Sequence, residues 1–415
     1  MSERVVITGM GAMTPLGHTV PETWGNLIEG QSGVGPITLF DTTDFAARIA
    51  GEVKEFDPTK WLDHKESRRL DRFCQFALIA AREALADSGL EIDESNSEEI
   101  GVVIGSGIGG IATLSEQLEV LRAKGPRFVS PFLIPMYIID LAAGQIAIAT
   151  GARGPNFGMV SACATSAHSL GEAAEIIRRG DAIAMIAGGS EAGVTPIGIA
   201  GFASMKALST RNDDPAHASR PFDRERDGFV MGEGAGVMIL EAESHARARG
   251  ARIYAELAGY GATDDSHHIT APPEGGEGAV RAMRIALRKA GINPGDVDYI
   301  NAHGTSTPPN DRVETEAIKT AFGEYAASIP ISSTKSMTGH MIGAAGVVES
   351  IACVKSIEEG IVHPTINYEF PDPECDLDYV PNVARQHQVD VAVTNSNGFG
   401  GHNVSLVFRK YAAAQ

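Results

Sequence analysis

The chain has 415 residues, 43% apolar and 21% charged, enough for two or three packed cores and typical of a soluble globular protein. Its formal net charge of −19 disfavours nonspecific attraction to nucleic acid or anionic lipid. The longest apolar runs, such as 146–149 and 183–187, stop at Gly, Asp or Thr well short of the ~20 residues a membrane span needs.

The opening MSERVVITGMG enters a strand-like run at once, without the basic start and apolar stretch of a secretion signal, so a cytoplasmic location is expected. Strand-like runs at 4–8, 100–104, 183–187, 236–240, 297–300 and 389–394 alternate with helix-like stretches, the pattern of an α/β protein with buried sheets. Two basic islands interrupt the acidity, HKESRRLDR (64–72) and LRAKGPRF (121–128). Such islands are either solvated helix faces or landing points for an acidic partner. In CQFALIAAREALADSGL, Leu78, Ala81 and Leu85 lie at i, i+3, i+7, and Gly89 marks the helix stop. GSGIGG (105–110) satisfies the GxGxxG pattern of a dinucleotide site. The companion strand ending in an acid is missing, because 111–128 reads as a helix followed by basic turn residues.

The four cysteines (74, 163, 353, 375) form no CxxC pair and no metal-ligand cluster, so no metal is expected. Cys74 and Cys353 sit in apolar helical patterns and Cys375 in the Pro/Asp-rich segment 371–381, which points to structural roles. Cys163 differs. It sits where a helix begins, among Ser161, Ala162, Ala164, Thr165 and Ser166, side chains small enough for a sharp backbone turn or the approach of a large group. A helix N-terminus contributes up to ~2 kcal/mol to an anion, which predicts a thiol lowered from ~8.5 toward neutrality.

Beyond residue 250 the pattern repeats. GAVRAMRIALRKAGI places Val280, Met283 and Leu287 at the same spacing as the earlier helix, again with a glycine, Gly291, four later. The stretch from His340 through AAGVVESIACVKSIEEG matches the stretch from Cys163 onward. Two similar halves are predicted, near 1–250 and 251–415. Three small-residue turns follow strand or helix ends in the second half: NAHGTSTPPND around His303, SSTKSMTGHMIGAAG with Lys335 and His340, and NSNGFGGHN at 395–403. Packing about a pseudo-twofold axis would bring Cys163, His303 and His340 into one pocket.

SACATSAHSLGEA, NAHGTSTPPND, STKSMTGHMIGAAG and NSNGFGGHN, in this order and spacing, resemble the β-ketoacyl-acyl carrier protein synthases, most closely the type II condensing enzyme of fatty acid synthesis. The resemblance runs from RVVITGMGAMTPLG to VSLVF. It implies an α/β thiolase-like fold, two duplicated halves in a five-layered α-β-α-β-α architecture, assembled as a homodimer. It implies that Cys163 takes an acyl chain from an acyl carrier protein, and that decarboxylation of malonyl-carrier protein gives a carbanion that attacks the acyl-Cys. His303 and His340 would hold the enolate oxygen, Lys335 would orient this pair with Glu349, and the backbone N–H groups of Cys163 and Phe399 would form the oxyanion hole.

Further roles follow from the same resemblance. Thr305 and Thr307 match the hydroxyls that hold the pantetheine arm, and Ile108 and Phe202 match positions lining the acyl pocket, with GSGIGG as a turn shaping the acyl tunnel. Lys65, Arg68, Arg69, Arg127 and Lys206 correspond to the face that meets the acidic carrier protein. No organic cofactor is implied, and a structural monovalent cation is implied near Asn301 and Glu349. Asn397 stands where many members have a second phenylalanine, and Pro309 where Leu or Val is common. The alternative is the ketosynthase of a type II polyketide system. Its noncatalytic chain-length partner lacks a nucleophile, which Cys163 argues against, and TGHMIGAAG argues against chain-starting enzymes and thiolases.

Overall fold

A computed structural model describes residues 3–413. The first strand, β1 (Val5–Met13), is buried along its whole length, yet its sequence VVITGMGAM carries two glycines where a buried strand ordinarily carries branched side chains. The reason is a close helix. A Cβ on Gly9 would lie 2.2 Å from the carbonyl oxygen of Ala84, and one on Gly11 2.0 Å from that of Ala80. Both alanines belong to α1 (Arg72–Ser88), which ends at Gly89 with φ 60°.

The first half continues with β2 (Ile100–Gly105), β3 (Asn156–Phe157), β4 (Ala184–Glu191) and β5 (Gly234–Ala242), in spatial order β1-β5-β4-β2-β3. The second half contributes β6 (Ala255–Asp264), β7 (Tyr299–Asn301), β8 (Ile331–Ser332), β9 (Val391–Gly398) and β10 (His402–Lys410), in the order β6-β10-β9-β7-β8. In each half the first three strands of that order are antiparallel and the last two join in parallel. The glycine contact recurs as well. Gly259 and Gly261 of β6 would place a Cβ 2.2 and 2.0 Å from the carbonyl oxygens of Ala286 and Ala282, in the helix Glu277–Ala290.

Pairing of Val6 with Glu256 and Ile7 with Ala255 joins the halves into one ten-stranded sheet. Helices α2 (Thr165–Arg179) and α3 (Ala345–Glu359) pack on each other and touch strands of both halves. They form the central layer, with Leu170, Ile177, Val347 and Ile351 in the shared core. α1 covers the outer face of the first half, and Glu277–Ala290 with Pro308–Phe322 covers that of the second. The layers therefore run α-β-α-β-α, as the resemblance implied.

Sequence reading missed β6 and β10. AELAGYGATD in β6 is poor in β-branched residues, because its glycines and alanines admit the covering helix rather than express strand propensity. Among the described residues no helix is long and apolar enough to cross a membrane. Each central helix is entered through a tight turn, Ala162–Ala164 before α2 and Ile342–Ala344 before α3. Ala162 has φ 50° and Ile342 φ 45°, left-handed values that strain any residue with a Cβ and a β-branched one most.

Candidate active site

The first of these turns presents the thiol. Cys163 follows the strained Ala162 and is 9% exposed. The glycine loop of the other half lies directly over it. A Cβ on Gly398 would sit 2.7 Å from the carbonyl oxygen of Ser161 and 3.2 Å from the nitrogens of Cys163 and Ala164. This contact brings the backbone N–H of Phe399 near Cys163 Sγ, where it favours the thiolate. Ser161 Oγ lies 2.7 Å from His168 Nδ1, which ties the turn to the first coil of α2.

The second turn presents an imidazole. His340 Nε2 is 3.0 Å from Cys163 Sγ, and the backbone N–H of Ile342 donates to His340 Nδ1 at 3.3 Å. A ring nitrogen that accepts from a backbone N–H carries no proton, so a neutral His340 holds its proton on Nε2, facing the sulfur. His303 lies two residues past the end of β7, its ring 5.4 Å from that of His340 and nearly perpendicular to it. Lys335 Nζ stands 3.4 Å from His303 Nδ1. The ammonium has only donors, so Nδ1 accepts and this proton too sits on Nε2. Burial pushes both imidazoles well below their ordinary range, with Lys335 acting in the same direction. The site thus offers two neutral Nε2–H donors.

Lys335, 1% exposed, is bonded to the carboxylate of Glu349, which is equally buried. Burial raises the Glu349 carboxyl and Lys335 opposes the rise. Cys163 differs from the sequence expectation. Its thiol is pushed up to about 11, because burial outweighs the lowering by Lys335 and by the Phe399 N–H. The desolvated turn, rather than the helix terminus, sets the resting proton.

A cavity of about 290 Å³ opens onto these groups, lined by Cys163, His303, His340, Thr305, Thr307 and Phe399. Thr305 and Thr307 share a hydrogen bond of 2.9 Å between their hydroxyls. Phe202 and Lys206 line the same cavity. Ile108 does not. It packs behind, in the apolar cluster that joins Cys163, Phe202, Phe229 and Ile342. Lys65, Arg68, Arg69, Arg127 and Lys206 are all exposed. The Arg69 guanidinium lies 5.1 Å over the ring of Phe132. The ligating atoms of Cys163, His303 and His340 fall within 4.8 Å of one another, a spacing that could also suit a metal. A buried ammonium 3.4 Å from His303 opposes a second cation there.

Three buried acids escaped the sequence reading. Glu314 accepts the N–H groups of His303 and Gly304 at 2.7 and 2.8 Å, and Asp311 accepts those of Thr305 and Phe222 at 3.0 and 2.8 Å. Both lie in the helix Pro308–Phe322, where the available signals were Asp311 closing the NAHGTSTPPND motif and Glu314 three residues beyond it. Glu191, at the end of β4, had none.

Residues 2–246 match the β-ketoacyl synthase N-terminal domain and residues 254–369 the β-ketoacyl synthase C-terminal domain. The chain belongs to the β-ketoacyl synthase family. The synthase is 56% identical over 409 residues to the 3-oxoacyl-[acyl-carrier-protein] synthase 2 of Synechocystis sp., covering 99% of this chain and 98% of the relative. It is 54% identical over 412 residues to the enzyme of the same description from Staphylococcus aureus, covering 99% of each. Among solved structures it resembles a type II polyketide ketosynthase in complex with its acyl-carrier protein, bound to the hexaketide, at TM-score 0.92 and 39% identity over 99% of this chain and 100% of that one. A β-ketoacyl synthase from Burkholderia phymatum matches at TM-score 0.91 and 35% identity, again over 99% and 100%. As a β-ketoacyl synthase, this chain is an acyltransferase of the condensing class.

Proposed function

We propose that the synthase lengthens acyl chains carried by acyl carrier protein, by decarboxylative condensation with malonyl-carrier protein in fatty acid synthesis. The single observation that carries the residue roles is the convergence of the two imidazoles on the thiol, His340 Nε2 3.0 Å from Cys163 Sγ and the His303 ring 5.4 Å from that of His340. In the first half-reaction Sγ attacks the thioester carbonyl, the bond to the pantetheine sulfur breaks, and the thiol proton leaves with that sulfur. The N–H groups of Cys163 and Phe399 hold the tetrahedral oxyanion. In the second, malonyl thioester binds with its carbonyl oxygen at Nε2 of His303 and His340. Loss of carbon dioxide puts negative charge on that oxygen, where two preset donors stabilise it. The enolate carbon attacks the acyl-Cys carbonyl, the C–S bond breaks, and the released thiolate regains a proton from solvent.

The remaining roles rest on placement. Thr305 and Thr307 stand where the pantetheine arm would pass, and Phe202 and Ile108 border the sulfur on its apolar side, where the acyl chain would lie. Lys206 at the cavity, together with Lys65, Arg68, Arg69 and Arg127, supplies positive charge for an acidic carrier protein on a chain of net charge −19. A homodimer is supported by the sheet edge at Asn156–Phe157, flanked by exposed Ile148 and Val160. Free, buried cysteines suit the cytoplasm, where we place the enzyme. No organic cofactor enters the scheme. Asn301 Oδ1 and Glu349 Oε2 are buried oxygens without a protein partner, and such donors fit a structural monovalent cation behind Lys335.

The test is intact-protein mass spectrometry after mixing with acyl-carrier protein. The wild type should gain one acyl group and the Cys163→Ala variant none. An adduct retained by the variant would refute the nucleophile. Chain-length profiles separate fatty acid from polyketide substrates.

A further inference from the structure

The repeated halves place equivalent groups at crossed positions, and one is used differently. β9 ends at Gly398, and its continuation lays the Phe399 N–H on the Cys163 turn of the first half. β4 ends at Glu191, which meets the Gly343 turn of the second half. Gly343 follows strained Ile342 as Cys163 follows strained Ala162. In the first half Cys163 of the turn lines a substrate cavity. In the second the equivalent Gly343 N–H meets a carboxylate. Glu191 Oε2 accepts from Gly343 N at 3.0 Å and from Gly107 N at 2.8 Å, and Oε1 accepts from Ile108 N at 3.2 Å and Ser106 Oγ at 2.8 Å.

This carboxylate lies between the apolar cluster beside Cys163 and the turn that carries His340. Gly107 and Ile108 belong to the GSGIGG turn, and Ile108 packs in the apolar cluster with Cys163 and Ile342. Gly343 is next to Ile342, whose N–H fixes the proton position on His340. A Cβ on Gly343 would lie 2.5 Å from Gly107 N, so the two backbones are already in contact without it. From these contacts we propose that Glu191 is a positioning residue, an internal anion seated on the Gly343 N–H, the second half's counterpart of the Cys163 N–H, and fastening the acyl-pocket wall at Ile108 to the turn that aims His340. An acyl chain pressing on Ile108 is therefore felt at the enolate site through one side chain. The fully buried carboxyl, pushed up to about 7 by desolvation and drawn down by its four donors, is consistent with an acceptor placed there for geometry.

The inference rests on the condensing reading and is tested separately from it. Glu191→Gln keeps the shape but turns an amide NH2 toward backbone N–H donors. Ser106→Ala removes one of the four donors. Decarboxylation of malonyl-carrier protein and acylation by carrier-bound acyl chains of several lengths are measured per alkylatable Cys163. In Glu191→Gln, kcat for decarboxylation should fall about 10²-fold with KM within about twofold, and the acyl-length profile should shift. Ser106→Ala should move both readouts the same way by less, and carries the test if the first variant does not fold. Unchanged kcat and an unchanged profile per site would overturn the inference. A wild type that neither takes an acyl group nor releases carbon dioxide would instead overturn the condensing reading.

Discussion

The thiol of Cys163 shows how two opposing effects are settled by magnitude. A helix N-terminus and a nearby ammonium both favour the thiolate, and the sequence alone led to a pKa near neutral. The structure places the sulfur where little water reaches it, and desolvation wins, holding it at about 11. A raised thiol pKa leaves thiolate scarce at neutral pH and growing with each unit above it. Alkylation of Cys163 by iodoacetamide should therefore climb roughly tenfold per pH unit from 7 toward 10. A rate that levels off near pH 7 would show that the helix terminus governs after all.

At the level of elements, the catalytic groups are held by turns that pack backbone on backbone. Gly398 lies against Ser161, Cys163 and Ala164 with no room for a side chain, and the strained residues Ala162 and Ile342 are locked by the helices that follow. Gly398→Ala should push the Phe399 N–H away from the sulfur and slow single-turnover acylation of Cys163 about 10²-fold. Full-rate acylation would show that this contact does not set the oxyanion hole. These turns were legible as motifs because small residues cluster in them. Their partners were not. Glu314, Asp311 and Glu191 act by accepting backbone N–H groups, and nothing in a lone acid's sequence context states which N–H it will meet.

For the whole molecule, the readable signal was the repeat. Leu78, Ala81 and Leu85 with Gly89, and Val280, Met283 and Leu287 with Gly291, mark helices that cover matching strands, and the structure adds why those strands carry paired glycines. Convergence of the Cys163 turn with His303 and His340 follows from the two central helices, which touch both half-sheets. The strands Ala255–Asp264 and His402–Lys410 stayed hidden, since their residues answer to covering helices and neighbouring strands rather than to local propensity. Enolate binding needs two uncharged rings that each present a proton from Nε2 into one cavity, kept uncharged by burial and by Lys335. Nitrogen-15 NMR of labelled histidines reports both protonation and tautomer. Through the range from pH 6 to 8, His303 and His340 should remain neutral with the proton on Nε2. A ring that charges near its ordinary value of ~6.5, or carries its proton on Nδ1, would contradict the enolate-binding pair.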